Sequence, residues 1–165
     1  MRAIEKGLTI NANSVDYQAG VGSILIYLGK YDRGMELVEH ALELLPDPSW
    51  GHLVSLAINA FHNKAYKEAL GWLDQSKVDT FWLLLVRAAA AINAEEHDLA
   101  NAALAEFRRK YPTINPAEKS VIDDLFVLPE IAQSIHEALQ KLSDAPLYIS
   151  ERKSTRYSKK GGVSL

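Results

Sequence analysis

The chain reads as an all-α protein, a stack of about three helix pairs closed by two further C-terminal helices. Three observations predict this. Apolar residues recur at three- and four-residue steps, as in Leu37, Val38, Ala41, Leu42 and Leu45, and no stretch alternates with period two. Helix stops and starts punctuate that pattern: "PDPS" at 46–49 cannot continue a helix, and Ser49 is placed to cap the next one. Asn13–Ser14 and Asp79–Thr80 stand at the equivalent places. Lastly, the chain repeats itself. "GKYDRGMELV" lies over "KAYKEALGWL" with Tyr31 on Tyr66, 35 residues later, and "EEHDLANAAL" puts His97 in that slot after 31 more.

Taken in order, the elements are a lone helix over about 2–11, then pairs over 15–29 with 31–45, 50–63 with 65–77, and 80–94 with 96–111. Connections of two to six residues make the helices of a pair antiparallel neighbours. Beyond Pro112 the register changes. Asn115 as cap, Pro116 in the first turn and Glu118 predict a helix over 116–126. "LPEIAQSIHEALQKL" then begins another at Pro129, with Ile131, Ile135, Leu139 and Leu142 along one face.

The stretch "LGKYDRGMELVEHALELLP" carries a glycine–lysine turn, an aromatic, a small residue, a large one, a small one and a closing proline. Tyr66, Ala69 and Leu73 hold those places in the second copy, and His97, Ala100, Leu104 and Pro112 in the third. This pattern resembles the tetratricopeptide repeat and covers roughly residues 3–112. The resemblance implies a right-handed superhelix, with a half repeat at 1–14, repeats at 15–48, 49–79 and 80–112, and capping helices at 113–144. The chain departs from the pattern at Gly34, where alanine is usual, at Ser76 and Phe107, which replace a small alanine, and at Ala12, which replaces the first proline. His97 in the aromatic slot is expected to be a packing residue. The ending looks like the C-terminal region of bacterial adenylate/guanylate cyclases and winged-helix transcription activators that carry such repeats. Because the chain opens in the second half of a repeat, it is expected to be a fragment of something longer.

Composition narrows the function. At 165 residues, with 48% hydrophobic and 24% charged, the chain has room for one domain or one regular array with a proper core. Without cysteine there is no disulfide framework and no thiolate metal site, and the cytoplasm is the default compartment. The longest apolar stretch, "FWLLLVRAAAAI", has 12 residues and contains Arg87, against about 20 for a bilayer span. It reads as a helix buried on more than one side. Charge is uneven: residues 151–165 carry +4 and the rest −7, so residues 145–165 read as a disordered basic tail. Nucleic-acid contact through that tail is a lesser alternative.

No constellation points to catalysis. Glu36 and His40 share a helix face, the minimum for a metal pair, but such pairs are common on solvated helices, and no metal or cofactor is expected. Asp123 and Asp124 point about 100° apart on a helix, which is not a catalytic carboxylate pair. Neither GxxxxGK[ST] nor GxSxG occurs. The expected function is a non-catalytic protein–protein interaction scaffold. The alternative is a regulatory or oligomerisation domain of a cyclase or transcription regulator.

In such a stack the first helix of each pair lines the concave face. Helical projection places Ala19, Ser23, Ile26 and Tyr27 there, then Val54, Ile58, Phe61 and His62, then Leu85, Ala89, Ile92 and Asn93. The lining is apolar and nearly uncharged. Three occupants fit it: the chain's own last helix through Ile131, Ile135 and Leu139, a second copy, or an amphipathic segment of another protein.

Overall fold

The computed structural model describes residues 2–144, Ala12 and Pro46 excepted. The expected disordered tail, those two repeat positions and the Leu142 side chain lie outside the described residues. Among these, the chain is all helical. The order is α1 (Arg2–Ile10), α2 (Val15–Tyr27), α3 (Tyr31–Leu44), α4 (Trp50–His62), α5 (Tyr66–Ser76), α6 (Phe81–Asn93), α7 (His97–Lys110), α8 (Lys119–Leu125) and α9 (Pro129–Asp144). Helices α2 and α3, α4 and α5, and α6 and α7 pack as hairpins. Each hairpin touches the next through α2 on α4 and α5 on α6, while α1 rests on α2 and α9 lies along α6.

The turns within the hairpins are built alike. Gly29, Lys64 and Glu95 each adopt a left-handed conformation, with φ of 73°, 60° and 63°. The following amide reaches back five residues in every case: Lys30 donates to the Leu25 carbonyl (2.8 Å), Ala65 to Ala60 (2.9 Å) and Glu96 to Ala91 (2.8 Å). Gly29, Lys64 and Glu95 themselves donate to the carbonyls of Ile26, Phe61 and Ile92. This is the Schellman arrangement, which satisfies two carbonyls that a helix end otherwise leaves unpaired. Glycine occupies it without strain, whereas Lys64 and Glu95 meet the Cβ penalty of the left-handed region. Lys64→Gly and Glu95→Gly should therefore each raise stability by about 0.5–1 kcal/mol, read as a higher urea midpoint.

Starts are less uniform. Ser14 caps α2, its hydroxyl accepting the Tyr17 amide at 3.3 Å. Ser49 and Thr80 occupy the cap positions of α4 and α6, but neither side chain makes a capping bond. The helix expected over 116–126 begins only at Lys119. Asn115 spends its side chain on the Ala117 amide (3.1 Å) and its carbonyl on the Glu118 amide (3.2 Å), folding 115–118 into a turn.

The small residues expected between paired helices are buried: Ala69 and Ala100 are fully covered. Phe107, where alanine is usual, is also fully covered and packs with Phe81 and Tyr111 at centroid distances of 5.0 and 5.4 Å. Ser76 is buried, its hydroxyl donating to the Leu73 carbonyl at 2.8 Å. His97, expected to pack, is instead exposed at the first position of α7, where its side chain clears the hairpin.

Gly22 and Gly34 explain each other. A Cβ on Gly34 would stand 2.6 Å from Ile26 Cγ1 and 2.8 Å from the Gly22 carbonyl oxygen. One on Gly22 would stand 2.7 Å from the Gly34 carbonyl oxygen. The two backbones meet at a crossing that no side chain can enter.

His52, in the first turn of α4, is 5% exposed, and among the described residues its Nδ1 has no hydrogen-bond partner. Burial holds its pKa below the ordinary value, against the opposing field of Asp16. The folded state thus binds fewer protons than the unfolded one just below about pH 6.5, and stability falls as pH drops through that window. The slope cannot exceed about 1.4 kcal/mol per pH unit from this one group. Urea midpoints at neutral pH and near pH 5 should show the loss, and His52→Gln should flatten it.

Candidate functional site

The structure buries most of the side chains expected on the concave face. Ala19, Ser23 and Ile26 of α2, Val54, Ile58 and Phe61 of α4, and Leu85, Ala89 and Ile92 of α6 are all buried. Their cover is the chain's own helices, for an apolar side chain is indifferent to whether its neighbour is self or partner. Tyr27 and Asn93 are half-buried and His62 is exposed, so these three retain accessible atoms.

Helix α6 shows why. Leu83–Val86 and Ala88–Ile92 are buried, on a helix flanked by α5, α7 and α9. Arg87 between them is half-buried and reaches Asp74 of α5 as an ion pair. On α9, Ile131 and Leu139 are 3% exposed and Ile135 is fully covered. Lys141 Nζ donates to Asn93 Oδ1 at 2.9 Å, pinning the C-terminal ends of α9 and α6 together. Helix α9 thus lies on α6, the most apolar of the described helices.

Two depressions stand out among the described residues. The first, of about 200 Å³, is lined by Tyr27 of α2, Ile58 of α4, Trp82 of α6, Leu125 at the end of α8, residues 126–128 after it and Ile131 of α9. Trp82 stands between Tyr27 and Phe126, at centroid distances of 6.4 and 6.3 Å and interplanar angles of 87° and 81°. Burial raises the Tyr27 phenol pKa above its ordinary value, by more than the nearby Ser55 hydroxyl lowers it. Leu128 is seated against Gly29, where a Cβ would come within 3.0 Å of Leu128 Cδ2.

The second depression, of about 600 Å³, is polar and bordered by Lys30, Asp32, Arg33, Glu39, Asn59 and Asn63. On its wall Tyr31 stacks on His62 with centroids 3.8 Å apart and planes 15° from parallel. Burial, then the nearby Glu130 carboxylate, push the Tyr31 phenol up to about 12.

Among the described residues no group of three or more His, Asp or Glu could hold a metal ion. Glu36, half of the Glu36–His40 pair, is bonded to Arg33 at 2.6 Å. Asp123 is paired with Lys119. No described helix is long and apolar enough to cross a membrane.

An apolar strip leads to the first cleft. Tyr17, Ile24 and Leu28 are 37%, 53% and 49% exposed and lie within about 40° of one another around α2. Leu28 adjoins the Gly29–Leu128 contact, and Val127 beyond it is 77% exposed. Sequence projection passed over Ile24 and Leu28 because their neighbours Ile26 and Tyr27 are equally apolar. It passed over residues 126–128 because nothing local says where a loop will be carried.

No family model, curated protein or solved structure matches this chain.

Proposed function

We propose that the chain is a non-catalytic protein–protein interaction scaffold of tetratricopeptide-repeat type, working in the cytoplasm. The observation that carries this reading is the recurrence of one hairpin turn. Gly29, Lys64 and Glu95 repeat the same left-handed Schellman geometry at the 35- and 31-residue steps of the sequence repeat. A chain that rebuilds one supersecondary unit three times makes an extended surface, and such surfaces serve to hold other chains. The binding face in this reading is the apolar strip of Tyr17, Ile24 and Leu28, with Tyr27 and Val127 at its end. It suits the apolar side of an amphipathic helix.

A regulatory or oligomerisation domain of a bacterial cyclase or transcription regulator is the second reading. It rests on the helix that opens with Pro129–Glu130 and lies along α6. Here the natural occupant of the strip is a second copy.

Light scattering on the chain and on Ile24→Glu separates the readings. A dimer that the substitution splits supports self-pairing. A monomer, with a photo-crosslinker at position 24 trapping one defined protein that a crosslinker at position 71 does not, supports a foreign partner. A monomer with no adduct specific to position 24 overturns both.

A further inference from the structure

We propose that the cleft between α2, α6 and the 125–128 segment is an aromatic cage that binds a trimethylammonium group. Its walls are Tyr27, Trp82 and Phe126, with the indole close to perpendicular to both neighbours. The indole meets Tyr27 and Phe126 edge to face, at centroid distances of 6.4 and 6.3 Å, and the three rings border an open depression of about 200 Å³. Aromatic faces carry the negative end of the ring quadrupole, so several of them around one void favour a cation with a greasy surface.

The rest of the lining selects for that class. No charged side chain borders the cleft among the described residues, so nothing there repels an ammonium. Nor does any acid there favour a small, strongly hydrated cation, which would lose its water for no hydrogen-bond acceptor. Ile58 and Ile131 supply an aliphatic floor for methyl groups. Leu128 lies against Gly29 and Trp82 meets both neighbouring rings, so the wall residues pack on one another. The −7 charge outside residues 151–165 draws cations toward the body.

Choline and its neutral isostere 3,3-dimethyl-1-butanol, titrated into the full chain by NMR, test this directly. Choline should bind with a dissociation constant on the order of a millimolar and move the Trp82 indole N–H resonance. The neutral isostere should bind at least about fivefold more weakly. Phe126→Leu keeps the cleft apolar while removing one ring, and should weaken choline about threefold or more with the melting temperature unchanged. Equal affinity for the two solutes would reduce the cleft to a plain apolar pocket. No choline-dependent shift at Trp82 up to roughly 50 mM would remove the site. A short peptide carrying trimethyllysine, against the same peptide with lysine, then identifies the source. Tighter binding than choline assigns the cage to a modified protein, and equal or weaker binding to a small solute.

Discussion

Gly34→Ala should lower the unfolding free energy by about 2 kcal/mol, whereas Gly71→Ala, the same change on the next helical hairpin, should raise it by up to about 1 kcal/mol. Both glycines lie inside helices, where alanine is intrinsically favoured by about 1 kcal/mol. What differs is the neighbour. Around Gly71 a new Cβ meets nothing within 4 Å. Around Gly34 it meets the Gly22 carbonyl oxygen at 2.8 Å and the Ile26 amide nitrogen at 2.9 Å, both backbone atoms that cannot swing aside. The helices must separate, and Ile26 and Val38, both fully covered, lose their packing. Urea denaturation of the two variants measures the pair of signs. A stabilised Gly34→Ala would mean that α2 and α3 do not cross at these glycines.

Ile135→Asp should cost more than about 3 kcal/mol and turn the chain sticky. Ile135 is fully covered, on the helix that lies along α6. An aspartate there is either buried without a partner or drags α9 into water. The second outcome uncovers the face of α6 that α9 covers, part of the apolar set Leu83–Val86 and Ala88–Ile92. Denaturation gives the first quantity and light scattering the second. An unchanged urea midpoint with unchanged mass would show that α9 contributes no cover.

Much of this architecture is legible in the residues. The limits of α2 to α7 fall within about three residues of those expected, because helix ends are local events. A cap at Ser14 or a left-handed turn at Gly29 needs only its own neighbours. Where local signals competed, reading them singly misled: Asn115 has the chemistry of a helix cap and of a turn, and the turn takes its side chain.

The candidate site was far less legible. Periodicity tells which residues of α4 or α6 are apolar, but both helices are apolar nearly all round, so it cannot say which face meets a sister helix and which stays open. The cleft illustrates the gap. Trp82 and Phe126 are 44 positions apart, and Tyr27 and Trp82 are 55. No spacing rule connects them.

By itself, then, the sequence determined the all-helical class, the boundaries of α2 to α7 and the three-fold recurrence of one hairpin. These follow from short-range backbone chemistry repeated at 35- and 31-residue steps. Only the tertiary structure decided that Gly22 answers Gly34, that α9 covers α6, and that Tyr17, Ile24 and Leu28 form an exposed apolar strip leading to a three-ring cleft. Burial of apolar area has no direction of its own, so which apolar face meets which is settled only when every helix has found its neighbours at once.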